Sequence, residues 1–126
     1  MRKTSESVED YLEAILRLSD GGGSVRQVDV AEFLGFSKAS ISKAVSALRK
    51  GGLLRSGKDR TLVLTPAGRS VAEAVYERHR FFAGLLVELG VDPEVAQQDA
   101  CRMEHAVSEE SFNAIRNFTI KVSSEL

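Results

Sequence analysis

The sequence predicts a mainly α-helical protein with one small β-hairpin, and three observations support this fold class. Apolar residues recur every three or four positions over most of the 126 residues, which is the spacing of amphipathic helices. Serine, threonine or aspartate precedes most of these segments and glycine follows several of them, as expected at helix ends. Two short β-prone runs flank a turn that contains glycine, a pattern typical of a hairpin.

The first two helices are predicted from their apolar stripes and flanking caps. The first covers residues 5–19 and has Ser5 or Ser7 as its N-cap, since a serine oxygen accepts a hydrogen bond from the first helical turn. The second is expected to follow a cap at Ser24 and to end at Gly35, because glycine readily adopts the left-handed conformation that ends helices. Its expected inward-facing residues are Val28, Ala31 and Leu34.

A third helix and the hairpin are predicted next. Ser37 is expected to cap the helix and Gly51 to end it, by the same capping rules. Residues 53–55 and 61–64 are the β-prone runs, and residues 56–60 between them have the glycine and aspartate of a hairpin turn. The helix is expected to bury Ile41, Ala44, Val45 and Leu48.

Three further helices are predicted in the rest of the chain. Thr65 and Asp92 each precede a proline, and proline is favoured at the first position of a helix. The helix after Thr65 is long and is expected to end at Gly90, whereas the helix after Asp92 leads to a last one that opens at Ser108.

The overall net charge of −1 hides an uneven distribution of charge. Between residues 37 and 60, seven cations face one anion, for a local net charge of +6. From residue 88 onward, eight carboxylates face three cations, for a net charge of −5. The first segment can therefore attract phosphates and the second can attract cations, so near-neutrality does not exclude nucleic-acid binding.

The chain has the composition of a cytoplasmic protein. Charges interrupt every hydrophobic run before it reaches the roughly 18 apolar residues that a membrane helix needs. The start, MRKTSESVED, lacks the apolar core of a signal peptide. Cys101 is the single cysteine and cannot form an internal disulfide, so it is available as a metal ligand or as a small core residue.

The order of the elements predicts a winged helix-turn-helix that binds DNA. In that motif the second helix of a tightly joined pair enters the major groove, and the hairpin, called the wing, follows the backbone. Lys43 is the best candidate for a base edge, whereas the serines and the other cations are expected near phosphates. The alternative is an ordinary solvated surface. The predicted DNA-binding residues are Ser37, Lys38, Ala39, Ser40, Ser42, Lys43, Lys58 and Arg60.

A second group of residues predicts a metal site. Cys101, Glu104 and His105 are spaced by three and four residues, so one helix presents all three on one face. An acidic pair on the first helix and a histidine on the fourth extend the set. Thiolate, imidazole and carboxylate together favour a transition metal. The six candidate ligands are Asp10, Glu13, His79, Cys101, Glu104 and His105.

Each candidate ligand taken singly has an ordinary structural explanation. A lone cysteine is often a small core residue, a lone histidine is often a hydrogen-bonded helix residue, and acidic pairs often lie on solvated faces. A thiol and a carboxylate that share a buried face repel, however, unless a cation or a proton lies between them. The spacing around Cys101 is therefore compatible with a metal site, and the ordinary structural explanation stays open on spacing alone.

Four segments together resemble one known family over nearly the whole chain. They are SVEDYLE at residues 7–13, LTPAG at 64–68, RHR at 78–80 and DACRMEHAVS at 99–108. In this combination and order they closely resemble the metal-dependent repressors of the diphtheria toxin repressor and manganese transport regulator family.

The resemblance implies a winged helix-turn-helix DNA-binding domain at residues 1–70, a helical metal-binding and dimerisation domain at residues 71–126, and a metal site between them. The six candidate ligands match the manganese-type site of the family with one departure. Cys101 stands where the manganese branch has glutamate and the iron branch has cysteine. Ala83 and Gln97 replace a glutamate and a histidine of the iron branch's second site.

The resemblance further implies a repressor of iron or manganese homeostasis genes that binds double-stranded operator DNA as a homodimer, with Fe(II) or Mn(II) as the signal. A thiolate ligand also suits Zn(II), Co(II) or Ni(II) in vitro. Two other classes stay open: a metal-independent winged-helix regulator controlled by a partner or small molecule, and a metalloenzyme. No separate general base or substrate pocket is evident in the sequence, so we do not expect an enzyme, and no membrane partner is expected.

Overall fold

The computed structural model describes residues 6–20 and 22–125, with only the backbone of Glu6 and Glu125. It confirms the mainly α-helical fold class with a small hairpin. The expected cap Ser5 lies outside the described residues. In chain order the elements are α1 (Glu6–Ser19), α2 (Gln27–Leu34), α3 (Lys38–Lys50), β1 (Leu54–Ser56), β2 (Leu62–Leu64), α4 (Pro66–Glu88), α5 (Pro93–Ala106) and α6 (Glu109–Glu125).

The chain forms two compact units, which we call the N-terminal and the C-terminal unit. The N-terminal unit extends to Ala74, and the C-terminal unit comprises the described residues from Val75 onward. The passage from one to the other falls within α4. The proposed domain boundary after residue 70 stays a prediction. No helix among the described residues is long and apolar enough to cross a membrane.

Helix α2 starts later than the sequence predicts, so the expected cap at Ser24 is wrong. The N-cap is Arg26, whose backbone N–H donates to a carboxylate oxygen of Asp29 at 2.9 Å. The physical reason lies one residue earlier, because the carbonyl of Val25 accepts a hydrogen bond from the backbone N–H of Leu62 in β2 at 2.7 Å. Val25 is also buried, so its place is beside the hairpin and outside the helix.

The late start of α2 also changes which of its residues face inward. Val30 and Ala31 are buried, whereas Val28 is 44 % exposed. The prediction that Val28 belongs to the core is therefore wrong. Burial in this short helix is decided by where Val25 and β2 anchor it, and the apolar spacing alone does not reveal that anchor.

Helix α3 follows its sequence signals closely. The side-chain oxygen of Ser37 accepts a hydrogen bond from the backbone N–H of Ser40 at 3.2 Å, which confirms the predicted N-cap. The helix buries Ile41, Val45 and Leu48 as predicted, whereas the predicted core residue Ala44 is only half-buried and the first residues of the helix are exposed.

The hairpin after α3 is confirmed as an antiparallel pair. Leu54 in β1 pairs with Leu64 in β2. The end of β1 is connected to the start of β2 by a loop that contains one 3-10 turn at Lys58–Arg60. Asp59 and Arg60 have φ angles of 55° and 62°. This left-handed backbone turns the chain within a short loop at a cost of roughly 1 kcal/mol or more per residue.

The start of α4 is fastened to the connection between α3 and β1. The Thr65 hydroxyl donates to the carbonyl of Gly52 at 2.6 Å and accepts from the backbone N–H of Gly68 at 3.1 Å. A Cβ atom at Gly68 would lie 2.0 Å from the carbonyl oxygen of Leu53. The helix therefore approaches this backbone more closely than any side chain at position 68 permits.

The C-terminal unit packs the later part of α4 against α5 and α6 around aromatic rings. Phe82, Ala83, Ala100 and Phe112 are buried together, and the rings of Phe82 and Phe112 meet edge to face with centroids 5.8 Å apart. Side chains of α4 and α5 therefore pack in one apolar cluster. Polar residues of the same two helices also lie near one another.

Candidate metal centre and nucleic-acid interface

Three predicted ligands converge inside the C-terminal unit. His79 comes from α4, and Cys101 and Glu104 come from adjacent turns of α5. One ligand atom from each lies within 4.8 Å of the other two. The Nδ1 atom of His79 is 3.2 Å from Oε2 of Glu104 and 3.7 Å from Sγ of Cys101. Atoms that bind one ion at about 2.0 to 2.3 Å lie roughly 3 to 4 Å apart, so this spacing fits a single shared ion.

Glu104 is the most deeply buried of the ligands. Its side chain is 0 % exposed, and that of His79 is 3 % exposed. Imidazole nitrogens flank both carboxylate oxygens, because Nε2 of His105 is 3.4 Å from Oε1 and Nδ1 of His79 faces Oε2. A buried carboxylate is costly unless positive charge or hydrogen-bond donors surround it. The two imidazoles place groups that can carry positive charge beside the buried carboxylate of Glu104.

The same contacts favour the protonated form of His79 when no metal is bound. The hydrogen bond with Cys101, together with that from Glu104, raises the pKa of His79 to about 10, although burial by itself lowers it. A protonated ring donates from Nδ1 towards these two side chains. The proton thus occupies the position in which a metal ion would meet the same three donors, so a metal has to displace it.

Cys101 is exposed, which argues against the alternative that it is a small core residue. Cys101 is thus in contact with solvent, whereas the side chains of His79 and Glu104 are buried. Thiolate, imidazole and carboxylate in this combination suit Fe(II), Co(II), Ni(II) or Zn(II), and the carboxylate and imidazole also suit Mn(II).

The remaining acidic candidates lie on α1. Asp10 and Glu13 are one turn apart in the N-terminal unit, and an oxygen of Glu13 lies 3.7 Å from Nη1 of Arg17. Their role as ligands stays a prediction, as does that of His105.

Sequence reasoning did not recognise the buried arginine that supports the centre. Nη1 of Arg78 donates to the carbonyls of Glu104 at 3.2 Å and Val107 at 2.7 Å, at the end of α5. Burial lowers the pKa of Arg78, while the charges of Glu109 and Glu104 act in the opposite direction. The guanidinium thus holds the backbone of the helical turn that carries Glu104. Its position next to His79 in the RHR segment was the available signal.

The predicted DNA-binding residues of α3 are all exposed, as are Lys58 and Arg60 in the wing. Two of them also bond to each other, because the Ser37 hydroxyl donates to the Ser40 hydroxyl at 3.0 Å. The Ser37 hydroxyl therefore accepts a hydrogen bond from the backbone N–H of Ser40 and donates its own proton to the Ser40 hydroxyl. Lys38, Ser42 and Lys43 project from the same exposed part of the helix. Their contacts with DNA stay predictions.

Two family descriptions match almost all of the chain. Residues 3–62 match the "Iron dependent repressor, N-terminal DNA binding domain", and residues 65–124 match the "Iron dependent repressor, metal binding and dimerisation domain".

Named relatives agree with these matches. The transcriptional regulator MntR of Escherichia coli O6:H1 is 41 % identical over 116 residues, which cover 92 % of this chain and 75 % of the relative. The diphtheria toxin repressor of Corynebacterium diphtheriae is 34 % identical over 87 % of this chain, which spans 49 % of that protein. A solved manganese-dependent transcriptional repressor in complex with manganese has a TM-score of 0.75 at 32 % identity, over 86 % of this chain and 50 % of that one. The chain therefore belongs to the iron-dependent repressor family of metal-dependent, DNA-binding transcriptional regulators.

Proposed function

We propose that this protein represses genes of iron or manganese homeostasis by binding operator DNA as a homodimer when Fe(II) or Mn(II) is bound. The observation that carries the proposal is the convergence of His79, Cys101 and Glu104 within 4.8 Å in the unit that follows the winged helix. The family membership supports the pairing of a metal centre with a DNA-binding unit. Residues 1–70 are proposed as the DNA-binding domain and residues 71–126 as the metal-binding and dimerisation domain.

The proposed ligand set adds three residues to this cluster. His105 flanks Glu104 on the side away from His79, and Asp10 and Glu13 complete the set from α1. These carboxylates, imidazoles and the thiolate would hold the ion, which would supply the positive charge that balances them. Because α1 belongs to the same unit as the recognition helix, ligands on α1 make the position of that unit depend on the metal.

The thiolate of Cys101 affects the relative affinities of different metals for the proposed site. An oxygen and nitrogen ligand set suits Mn(II) and Fe(II), whereas Cys101 increases the relative affinity for Fe(II), Co(II), Ni(II) and Zn(II). We propose Fe(II) or Mn(II) as the physiological metal, with Zn(II), Co(II) and Ni(II) able to bind in vitro.

The proposed DNA contacts follow from the exposed surface of the N-terminal unit. Helix α3 enters the major groove with Lys43 near a base edge, and Lys58 and Arg60 of the wing approach phosphates. In a homodimer, two such helices read half-sites about 34 Å apart. A metal that fixes the position of each N-terminal unit therefore favours simultaneous docking of both.

The proposed homodimer surface is the apolar side of α6. Ile115, Phe118 and Val122 are spaced by three and four residues, and Phe118 is 68 % exposed. At the end of α4, Leu89 is 72 % exposed. An apolar stripe of this kind is characteristic of a contact between protein chains, and the family description of this region includes dimerisation. A second copy of the chain is the proposed occupant.

The two other classes receive less support. A metal-independent regulator would not explain why a carboxylate, an imidazole and a thiol converge. A metalloenzyme is less supported because the matching relatives are named as a transcriptional regulator and a repressor. We expect the protein in the cytoplasm, where its operator DNA is.

The direct test is DNA binding with and without metal. Protein prepared anaerobically is titrated onto a fluorescent duplex from its own upstream region, in chelator and then in Fe(II) or Mn(II). Coupling of about 1 to 3 kcal/mol, or roughly 5- to 150-fold in affinity, is expected. A scrambled duplex serves as the control. Equal operator affinity in chelator and in metal would refute the proposed switch.

A further inference from the structure

Gln97 makes a close contact with the back of the proposed metal ligand His79. Its side-chain oxygen Oε1 is 2.7 Å from Nε2 of His79. The other ring nitrogen, Nδ1, faces Cys101 and Glu104. Gln97 lies one turn before Cys101 on α5, so both edges of the imidazole are held by side chains from one helix.

Binding of a metal removes one of the two ring protons, and this contact determines which N–H group the neutral ring keeps. A carboxamide oxygen only accepts hydrogen bonds, so Nε2 has to carry the proton when it bonds to Gln97. A neutral imidazole has a single N–H, and Nδ1 then keeps its lone pair. That lone pair is directed towards Cys101 and Glu104, where a metal needs it.

The opposite form would disable the ligand. With its proton on Nδ1, the neutral ring would donate to Glu104, 3.2 Å away, and would have no lone pair to offer there. Glu104 by itself favours this form because a carboxylate attracts the N–H. Gln97 opposes it from the other edge of the ring by giving the proton on Nε2 a partner.

We propose that Gln97 is a positioning residue, which holds the proton of His79 on Nε2 and so presents Nδ1 to the metal; this inference rests on the proposed metal-dependent function. Gln97 is not itself a ligand, because its oxygen bonds to the edge of the ring opposite the other donors. Metal-binding histidines commonly donate their second N–H to a carbonyl or carboxylate, and loss of that partner typically weakens metal binding 10- to 100-fold.

The test compares three variants of the full chain. Gln97→Met keeps the length of the side chain and removes the oxygen. Gln97→Glu restores an oxygen acceptor. Gln98→Met makes the same replacement at the neighbouring exposed glutamine and is the matched control. Binding of Mn(II) and of Co(II) is measured by anaerobic calorimetry at constant pH.

Gln97→Met is expected to raise the metal Kd about 10- to 100-fold. Gln97→Glu is expected to recover most of that loss, and Gln98→Met to match the unmodified protein.

NMR of the histidine side chains measures directly which ring nitrogen of His79 carries the proton. In Zn(II)-bound protein labelled with ¹⁵N-histidine, a slowly exchanging Nε2–H signal is expected for His79, and this signal should be lost in Gln97→Met and present in Gln97→Glu. The chain has only two histidines, which makes the assignment direct.

The outcomes separate this inference from the function on which it rests. If the unmodified protein binds none of these metals, the proposed function fails. If it binds them and Gln97→Met has the same Kd and the same Nε2–H signal, the positioning role is wrong while the function stands. An equal loss of affinity in Gln97→Met and Gln97→Glu would also overturn it, because an acceptor oxygen would then have no effect.

Discussion

The two units of this protein differ in how they present their functional side chains. In the N-terminal unit the residues proposed to meet DNA are exposed, and they lie on a helix whose start is defined by its own Ser37 cap. In the C-terminal unit Glu104 and His79 are buried and meet only because α4 and α5 pack together. The proposed DNA-binding surface can therefore be set by local signals, whereas the proposed metal centre depends on tertiary packing.

Damage to packing should therefore disable the proposed metal centre before it affects the exposed surface. Arg78→Met removes the guanidinium that serves the carbonyls of Glu104 and Val107. Leaving these two carbonyls without their donor should together cost about 2 to 6 kcal/mol, at about 1 to 3 kcal/mol each. We expect a free energy of unfolding lower by roughly that amount in urea titrations of metal-free protein, with a large loss of metal affinity.

Arg80→Met is the control for this change, because Arg80 is exposed on the same helix and its guanidinium lies over the Tyr76 ring. A loss below about 1 kcal/mol is expected there. Similar losses in the two variants would mean that the buried hydrogen bonds of Arg78 are not what stabilises the unit.

The buried centre should also respond to pH in a way that the exposed surface does not. The pKa of His79 is raised to about 10 from 6.5, so its proton stabilises the metal-free fold fully below pH 6.5, and this contribution is lost as the pH rises through about 10. A metal that takes Nδ1 displaces that proton. Mn(II) affinity should therefore rise with pH, by about tenfold per unit from this group.

Calorimetry between pH 6.5 and 8.5 measures this dependence, and titrations in buffers of different ionisation enthalpy count the released protons. About one proton per ion is expected from His79, and His79→Gln should remove it. Binding that is independent of pH and releases no proton would contradict the proposed place of the metal on Nδ1.

Two glycines in the same helix sharpen the comparison between local and tertiary control. Both Gly68 and Gly84 lie inside α4, where alanine is intrinsically better by about 0.5 to 1 kcal/mol. A Cβ at Gly68 would strike the Leu53 carbonyl, whereas one at Gly84 would meet nothing within 4 Å. Gly68→Ala should destabilise by about 2 to 3 kcal/mol, and Gly84→Ala should stabilise by about 0.5 to 1 kcal/mol.

Thermal and urea unfolding of the two glycine variants test this difference in sign. Stabilisation by both substitutions would show that the start of α4 can move away from Leu53 without cost. The contact between α4 and the α3–β1 connection would then be loose.

The smallest expected effects separate base reading from phosphate contact on the exposed surface. Lys43→Ala should weaken operator binding by about 1 to 3 kcal/mol and relax the preference for operator over scrambled DNA. Arg60→Ala should weaken binding to both duplexes and lower the salt dependence by about one phosphate contact. Competition titrations at several salt concentrations measure both. Equal weakening of both duplexes by Lys43→Ala would remove its assignment to a base edge.

Much of the fold was predictable because its signals are local. The cap at Ser37, the proline starts after Thr65 and Asp92, and the hairpin each depend on a few consecutive residues, and all were confirmed. The start of α2 was not predictable in the same way. Ser24 looks like a cap in the sequence, but the carbonyl of Val25 bonds to Leu62, far along the chain. A long-range hydrogen bond overrode the local signal.

The sequence by itself determined the element types and the basic segment that remains exposed. It also determined the spacing that places Cys101 and Glu104 on one helical face. Each of these features follows from backbone periodicity and short-range capping. Only the tertiary structure decided that His79 meets these two residues, that Gln97 holds the other edge of its ring, and that Arg78 fastens the turn below Glu104. These contacts join α4 to α5 across 18 to 29 positions of the chain. Helical periodicity relates residues within a helix, and the packing of Phe82 and Ala83 against Ala100 determines which faces of two helices meet.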